Sequence, residues 1–312
     1  MNRDSVIRLP VIRLPVIRGL VRGVTGVRAF TVLATIVGAL VFSSPSVDAG
    51  DKLIILQPGY PGSTKDAREF VDDFCKTLTT LGAALSGGEY HNDEPRGLEA
   101  VERDRPAIGI VSLGVFLKHR ERLALRPLLV SSPHGSCRLL VKSGTIPDLK
   151  SLSGKTVTST AFAEPEFVER VILGNATDKP AGALCADWKT SRAKSFNRGL
   201  RKLKKGRCDA VLLNSREFDG YENRLKKPED GFVVLHTSRA FPTAVVVVFG
   251  KVAPDEGGKK WLSAFKELPR SEKGKKLLAN MGTQGFVPVD DKTLEPFQKL
   301  FDHNATVETR QP

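Results

Sequence analysis

This chain is poor in the residues that carry most cofactor and covalent chemistry. It has four cysteines in 312 residues (Cys75, Cys137, Cys185 and Cys208) and no CxxC pair, so a redox motif has no support. Its five histidines are scattered and form no HExxH, which removes the usual helix-borne zinc site; no metal or other cofactor is expected. Walker loops and GxGxxG are absent, so nucleotide-dependent chemistry has no support, and Gly-x-Ser-x-Gly is absent too. The apolar run over 29–42 is too short for a comfortable membrane span.

That run has a different use. Six arginines precede it, with a small VIRLP repeat at 6–10 and 11–15, and Val47-Asp48-Ala49 follows with small residues at the offsets that signal peptidase needs. Residues 1–49 therefore read as a secretory signal cleaved near Ala49, with an uncleaved anchor as the alternative. No cysteine lies near the cleavage point, which argues against a lipid anchor. The mature chain is expected to be soluble in an exported, oxidising compartment, with one or two disulfides among its cysteines. Of the net charge of +13, about +9 remains after the signal, an excess that favours anionic partners in general.

The chain is organised around residues 105–123, RPAIGIVSLGVFLKHRERL. An apolar, β-branched run at 107–111 predicts a buried strand that leads directly into a helix from Ser112. Ser112 suits the N-cap, and Leu113, Phe116 and Leu117 supply the apolar stripe. A hydroxyl and free N–H groups at the carboxyl end of a strand form the place where open α/β sheets hold small anions. About a hundred residues later the arrangement recurs. The run at 208–213 leads to Asn214-Ser215 and a helical stripe of Phe218, Tyr221 and Leu225, and Glu217 stands at capping-box distance from Asn214. Two such units suggest two lobes facing a cleft; ordinary βα turns look the same.

Taken in order, the pattern predicts strands at 52–57, 85–92, 126–131, 136–141, 156–159, 231–235 and 243–249. Helices are expected from 63 or 64 to 81, at 94–103, from 164–165 to about 174, and at 195–205. Three more follow at 256–268, 271–281 and 294–303. Residues 175–187 read as loop, with a glycosylation-type Asn175-Ala176-Thr177, and 282–288 as a turn segment. The expected domains are the signal (1–49), lobe 1 (50–141 plus 241–303), lobe 2 (142–240) and a frayed tail (304–312).

This order resembles the type II periplasmic solute-binding fold, and most of all the phosphate/phosphonate-binding family that serves ABC importers. The resemblance is carried by AIGIVSLGVFLKHRERLALRPLLV, DLKSLSGKTVTST, GRCDAVLLNS, SRAFPTAVVV and EKGKKLLANMGTQGFVPVD, and covers most of the mature chain. It implies an α/β protein of two lobes, each a mostly parallel sheet flanked by helices, with two crossover strands as a hinge. It also implies capture of a small solute, most of all an oxyanion such as phosphate or phosphonate, for an ABC permease. The protein would be a monomer, with no enzymatic activity and no nucleic-acid partner. One stretch departs from the family. Where a Ser/Thr run with glycine usually opens the first helix of the second lobe, this chain has Thr158-Ser159-Thr160-Ala161-Phe162-Ala163-Glu164-Pro165. The glycine is gone, and Glu164 brings a negative charge to a site that would hold an anion.

The expected lining follows. Tyr60 covers or stacks on the ligand, and Ser112 with the N–H groups behind it accepts the oxyanion. Ser159 and Thr160 do the same from the second lobe, Asn214 and Ser215 add polar contacts, and Arg239 gives a charge-assisted bond. Three rivals stand beside this reading. One is an enzyme built on His134 and Cys137. Another is a periplasmic sensor input or orphan binding protein with a non-phosphonate ligand. The third is an anionic-polymer binder using the basic helix at Lys202 to Arg207.

Overall fold

The computed structural model of the chain describes residues 51–60, 62–174, 189–224, 231–250 and 256–308. The expected signal, the 175–187 loop with its sequon, Cys185 and the last four residues lie outside them.

Eleven described strands form two sheets. The first has the order β11-β4-β10-β3-β1-β2 and the second β7-β6-β8-β5-β9. In the first, β1 (Asp51–Leu56) runs parallel to β2 (Leu85–His91) and β3 (Ile108–Ser112). Antiparallel β10 (Ala244–Val248) lies between β3 and β4 (Arg126–Ser132), so β4 runs the same way as β3, and β11 (Gly285–Pro288) pairs antiparallel with β4 at the edge. In the second, β6 (Thr156–Ser159) is parallel to β7 (Lys189–Arg192) and β8 (Ala210–Asn214), while β5 (Cys137–Lys142) is antiparallel to β8 and β9 (Phe232–Thr237). Most strands of each sheet therefore run one way, as expected, and β10 and β11 in the first and β5 in the second run against them. The two strands that enter from the other lobe, β5 and β10, run against their sheet neighbours.

The central strands read in the sequence as continuous apolar runs because both their faces are covered. Every residue of IGIVS (β3) and AVVVV (β10) is buried. Helices α1 (Arg68–Thr80), α2 (Glu94–Asp104) and α3 (Leu113–His119) flank the first sheet, as do α7 (Glu256–Glu267) and α8 (Glu272–Asn280). Those of the second lobe are α4, α-helical over Pro165–Phe167 and π-helical over Val168–Ile172, then α5 (Phe196–Lys204) and α6 (Ser215–Arg224). The last helix, α9 (Asp291–Glu308), packs on both α3 and α4.

Several expectations shift. The segment 137–142, expected in lobe 1, pairs with β8 and β9, so the first crossing falls just after β4. Its return partner passes alongside, bridged at Gly135 and Phe241. Helix α1 starts at Arg68 rather than at 63 or 64. The Ser63 hydroxyl donates to Asp66 Oδ2 (2.7 Å) and accepts from the Asp66 N–H, and this closes a separate turn ahead of the helix. Strand β7 is polar and exposed along an edge and shows no alternation to read. In β11 only Gly285 and Phe286 are buried, and the strand ends in Pro288. The final helix runs past 303 into the expected tail, since no glycine or proline stands between Pro296 and Glu308 to stop it. Cys75, Cys137 and Cys208 are free, buried thiols, so none of them forms an expected disulfide.

The largest apolar cluster does not respect the lobe boundary. Leu113, Val115 and Phe116 of lobe 1 share it with Phe162, Phe167 and Val168 of lobe 2, and α9 adds Leu294, Phe297 and Phe301.

Candidate functional site

Ser112 ends β3 and is the N-cap of α3, as its sequence position implies. Its extended backbone (φ −61°, ψ 157°) turns Oγ back to accept the Val115 N–H at 3.1 Å. The hydroxyl proton goes elsewhere. It is donated to Glu164 Oε1 at 2.6 Å, across the lobe boundary. The Val115 N–H, hydrogen-bonded to Ser112 Oγ, also lies near enough to favour the charged form of that carboxyl.

The electrostatics of Glu164 are unusual. Burial pushes its carboxyl up to about 7, and the negative charge of Glu94 adds to the rise. The Ser112 hydroxyl, the Val115 N–H and the Lys118 ammonium oppose it. Glu94 itself is held below the usual carboxylate range, first by His119, whose Nε2 lies 2.9 Å from Glu94 Oε1. Lys118 Nζ bridges Glu94 of lobe 1 (3.1 Å) and Glu166 of lobe 2 (3.0 Å), which makes a second polar link between the lobes.

The second lobe repeats the pattern with a carboxylate of its own. Thr160 Oγ1 donates to Glu217 Oε1 at 2.7 Å, and the Asn214 N–H donates to Oε2 at 3.1 Å. The Glu217 N–H returns a bond to Asn214 Oδ1 at 3.0 Å, completing the capping box that the spacing predicted. Burial raises the Glu217 carboxyl, against the pull of Thr160 and the Asn214 N–H.

The remaining expected lining residues are engaged in structure. Ser159 is buried; its hydroxyl donates to the Leu212 carbonyl at 2.8 Å and accepts the Ala161 N–H. Ser215 Oγ accepts the Ser136 N–H (2.7 Å) and donates to the Ser136 carbonyl (2.9 Å), tying α6 to the first crossing. Tyr60 Oη donates to the Met281 carbonyl at 2.7 Å and so braces the end of α8. Arg239 is exposed, with its guanidinium 6.0 Å from the Phe297 ring of α9.

Other contacts shut the same seam. Gly59, at φ +77°, lies so close to the second lobe that an added Cβ would stand 2.7 Å from the Thr160 carbonyl. Phe167 meets Phe241 edge to face, with centroids 5.3 Å apart, and Arg216 Nη1 donates to the Asn280 carbonyl at 3.1 Å. Two surface depressions, one beside the β1–β2 edge (Lys52, Gly88, Asp104) and one along α1 (Arg68, Asp72, Lys76), involve neither Ser112 nor Glu164.

The residues that sequence reasoning did not assign to the site are Glu217, Lys118, Glu166 and Gly59. Only Glu217 left a signal, its spacing from Asn214. The Cys–His alternative loses its premise, because Cys137 is fully buried and burial drives its thiol up, away from the thiolate form. Among the described residues no group of three or more His, Cys, Asp or Glu side chains is placed to hold a metal ion, and no helix is long and apolar enough to cross a membrane.

Comparison with known proteins agrees with this architecture. The family model described as "ABC transporter, phosphonate, periplasmic substrate-binding protein" matches residues 79–294. Three solved structures share the fold. PhnD1 from Prochlorococcus marinus, in complex with methylphosphonate, has TM-score 0.61 and 12% identity, covering 84% of this chain and 99% of that one. A binding protein component of an ABC phosphonate transporter from Pseudomonas aeruginosa has TM-score 0.60 and 14% identity, covering 83% and 88%. XAC2383 from Xanthomonas citri, bound to ATP, has TM-score 0.61 and 15% identity, covering 84% and 100%. No curated protein matches the chain in sequence.

Proposed function

Since the chain belongs to the periplasmic phosphonate substrate-binding family of ABC transporters, a family of solute-binding proteins rather than enzymes, we propose that it captures a small oxyanion of the phosphate or phosphonate kind between its lobes. The observation that supports this best is the pair of donors at the start of α3. The Ser112 hydroxyl donates to a carboxylate with the Val115 N–H close behind it, and a carboxylate presents the same kind of acceptor as one edge of a phosphonate. Thr160 and the Asn214 N–H form a comparable pair in the other lobe, now turned to Glu217. The methylphosphonate complex of the Prochlorococcus marinus protein shows that this fold accommodates such a solute.

In this reading the chain is exported, its signal is removed near Ala49, and the monomer delivers its solute to an inner-membrane permease after closing around it. Sensing by a binding protein without a transporter, with a solute other than a phosphonate, is the second reading. One observation favours it: Glu164 stands where the anion would.

A thermal-shift screen of the protein against phosphate, phosphite, methylphosphonate, sulfate, amino acids and polyamines separates the two. A ligand at a hundredfold excess over its dissociation constant stabilises by about 2.7 kcal/mol. An upward shift with an oxyanion, lost in Ser112→Ala, is the expected result. A shift with amines alone moves the solute class, and no shift with any of them in wild type and in Glu164→Ala alike ends the oxyanion reading.

A further inference from the structure

We propose that Glu164 acts as a tethered ligand, holding the two lobes closed without solute and thereby deciding which solutes can enter. The inference rests on the cleft being the solute site. Its starting point is a hydrogen bond between side chains 52 residues apart and in different lobes, Ser112 Oγ to Glu164 Oε1 at 2.6 Å. In a hinged binding protein the contacts that hold closure belong to the solute, so the closed state needs the solute to be populated. Here the acceptor that draws the lobes together is part of the chain.

On its α3 side the carboxylate leaves no room for a second anion. Gly114 abuts the carboxylate so closely that even a methyl group there would overlap Oε1. Glu94 of α2 and Lys118 of α3 are the charged groups that face Glu164. Lys118 is already shared between Glu94 and Glu166, so its charge is spent on the chain's own carboxylates. An oxyanion entering while Glu164 stays ionised would meet two carboxylates and one committed cation. It must displace Glu164.

Other contacts that no solute supplies assist the closure that Glu164 holds. The apolar cluster runs unbroken from Phe116 to Phe167, and α9 lies across the joint. Arg120 of lobe 1 bonds Asp302 of α9 at 2.6 Å, and the Arg170 guanidinium of lobe 2 sits 5.0 Å from the Phe301 ring. A tethered group competes at the effective concentration its short tether imposes, on the order of millimolar or more. Free anions below that level lose to it.

The test uses the full chain as wild type, Glu164→Ala and Glu164→Gln. Small-angle scattering without solute reads closure, and calorimetric titration with inorganic phosphate and methylphosphonate reads entry. Wild type is expected to keep one radius of gyration with and without anion. Glu164→Ala is expected to expand when solute-free, to contract when anion is added, and to bind anion at least about tenfold more tightly than wild type. A wild type that is already expanded without solute overturns the proposal, and so do equal radii and equal affinities in wild type and Glu164→Ala. An expanded Glu164→Ala that binds neither anion upholds the tether and sinks the oxyanion reading instead. If Glu164→Ala does not fold, Glu164→Gln decides: tighter anion binding than wild type upholds the tether, and unchanged binding overturns it.

Discussion

Gly114 lies directly against Glu164. A Cβ on Gly114 would overlap Glu164 Oε1 and stand 2.9 Å from the Cβ of Phe167, so the first turn of α3 and the start of α4 meet with no side chain between them. Only glycine allows that approach. Two effects oppose each other in Gly114→Ala: helix propensity favours alanine by up to about 1 kcal/mol, and overpacking costs about 1–3 kcal/mol. The overlap with Phe167 decides the sign, because that Cβ cannot swing away. Gly114→Ala should lower stability in denaturant melts. The loss should shrink in a Glu164→Ala background, where one of the two clashes is gone. Additive losses would show that the two residues do not touch.

The Glu164 carboxyl makes stability depend on pH in a defined direction. Its folded value of about 7 lies above the ordinary glutamate value of 4.5, so the folded state holds a proton in a range where the unfolded state has lost it. The stability this group contributes is full below about 4.5 and is lost as pH rises through about 7. Wild type and Glu164→Gln, melted side by side from mildly acid to mildly alkaline pH, should differ by an amount that changes across this window and levels off above it. Glu217, raised in the same sense, and His236, lowered, titrate in both proteins and cancel in the difference. A difference independent of pH would show that Glu164 is ionised throughout.

Gly59 gives a backbone test of closure. At φ +77° it stands where side chains are rarely accommodated, and its open side is filled by the Thr160 carbonyl and Ala163. In Gly59→Ala the lobes cannot meet as they do. The variant should show a larger radius of gyration and faster proteolysis at the two crossings, with unchanged helix content by circular dichroism. Scattering identical to wild type would mean that this contact does not limit closure.

Phe167 and Phe297 belong to the apolar seam, both well buried in the cluster that joins the lobes. Truncating a buried aromatic side chain costs about 3–5 kcal/mol. Phe167→Ala and Phe297→Ala should each lose stability on that scale, in one cooperative transition. Two separate transitions in either variant would show that the lobes unfold independently and that the seam does not couple them.

The thiols offer an independent check on the core. Burial pushes the Cys75 thiol up to about 11, helped by the Asp72 charge, and burial also raises Cys137 and Cys208. Of four cysteines, no more than one, Cys185, should react with a thiol reagent in the native protein at mildly alkaline pH, and all four in urea. Reductant should leave the melting temperature unchanged. Two or more reactive thiols in the native state would contradict the burial, and fewer than four in urea would restore a disulfide.

Local chemistry alone determined much of this protein. Apolar runs buried on both faces marked β3 and β10, and Ser112 and Asn214 marked the starts of α3 and α6, because a cap needs only its own neighbours. The departure at Glu164 was visible as a charge in a stretch where the family carries none. What tertiary structure alone decided was where that charge goes. Residues 112 and 164 belong to different lobes, and only the return of the chain through two crossings, with α9 laid over the joint, brings a hydroxyl to a carboxylate at 2.6 Å. The same long-range placement turned Arg239 toward Phe297, committed Tyr60 to the Met281 carbonyl and set Cys137 in the second sheet. The polar edge strand β7 escaped reading for a related reason: its neighbour in the sheet makes it a strand, and its own side chains do not.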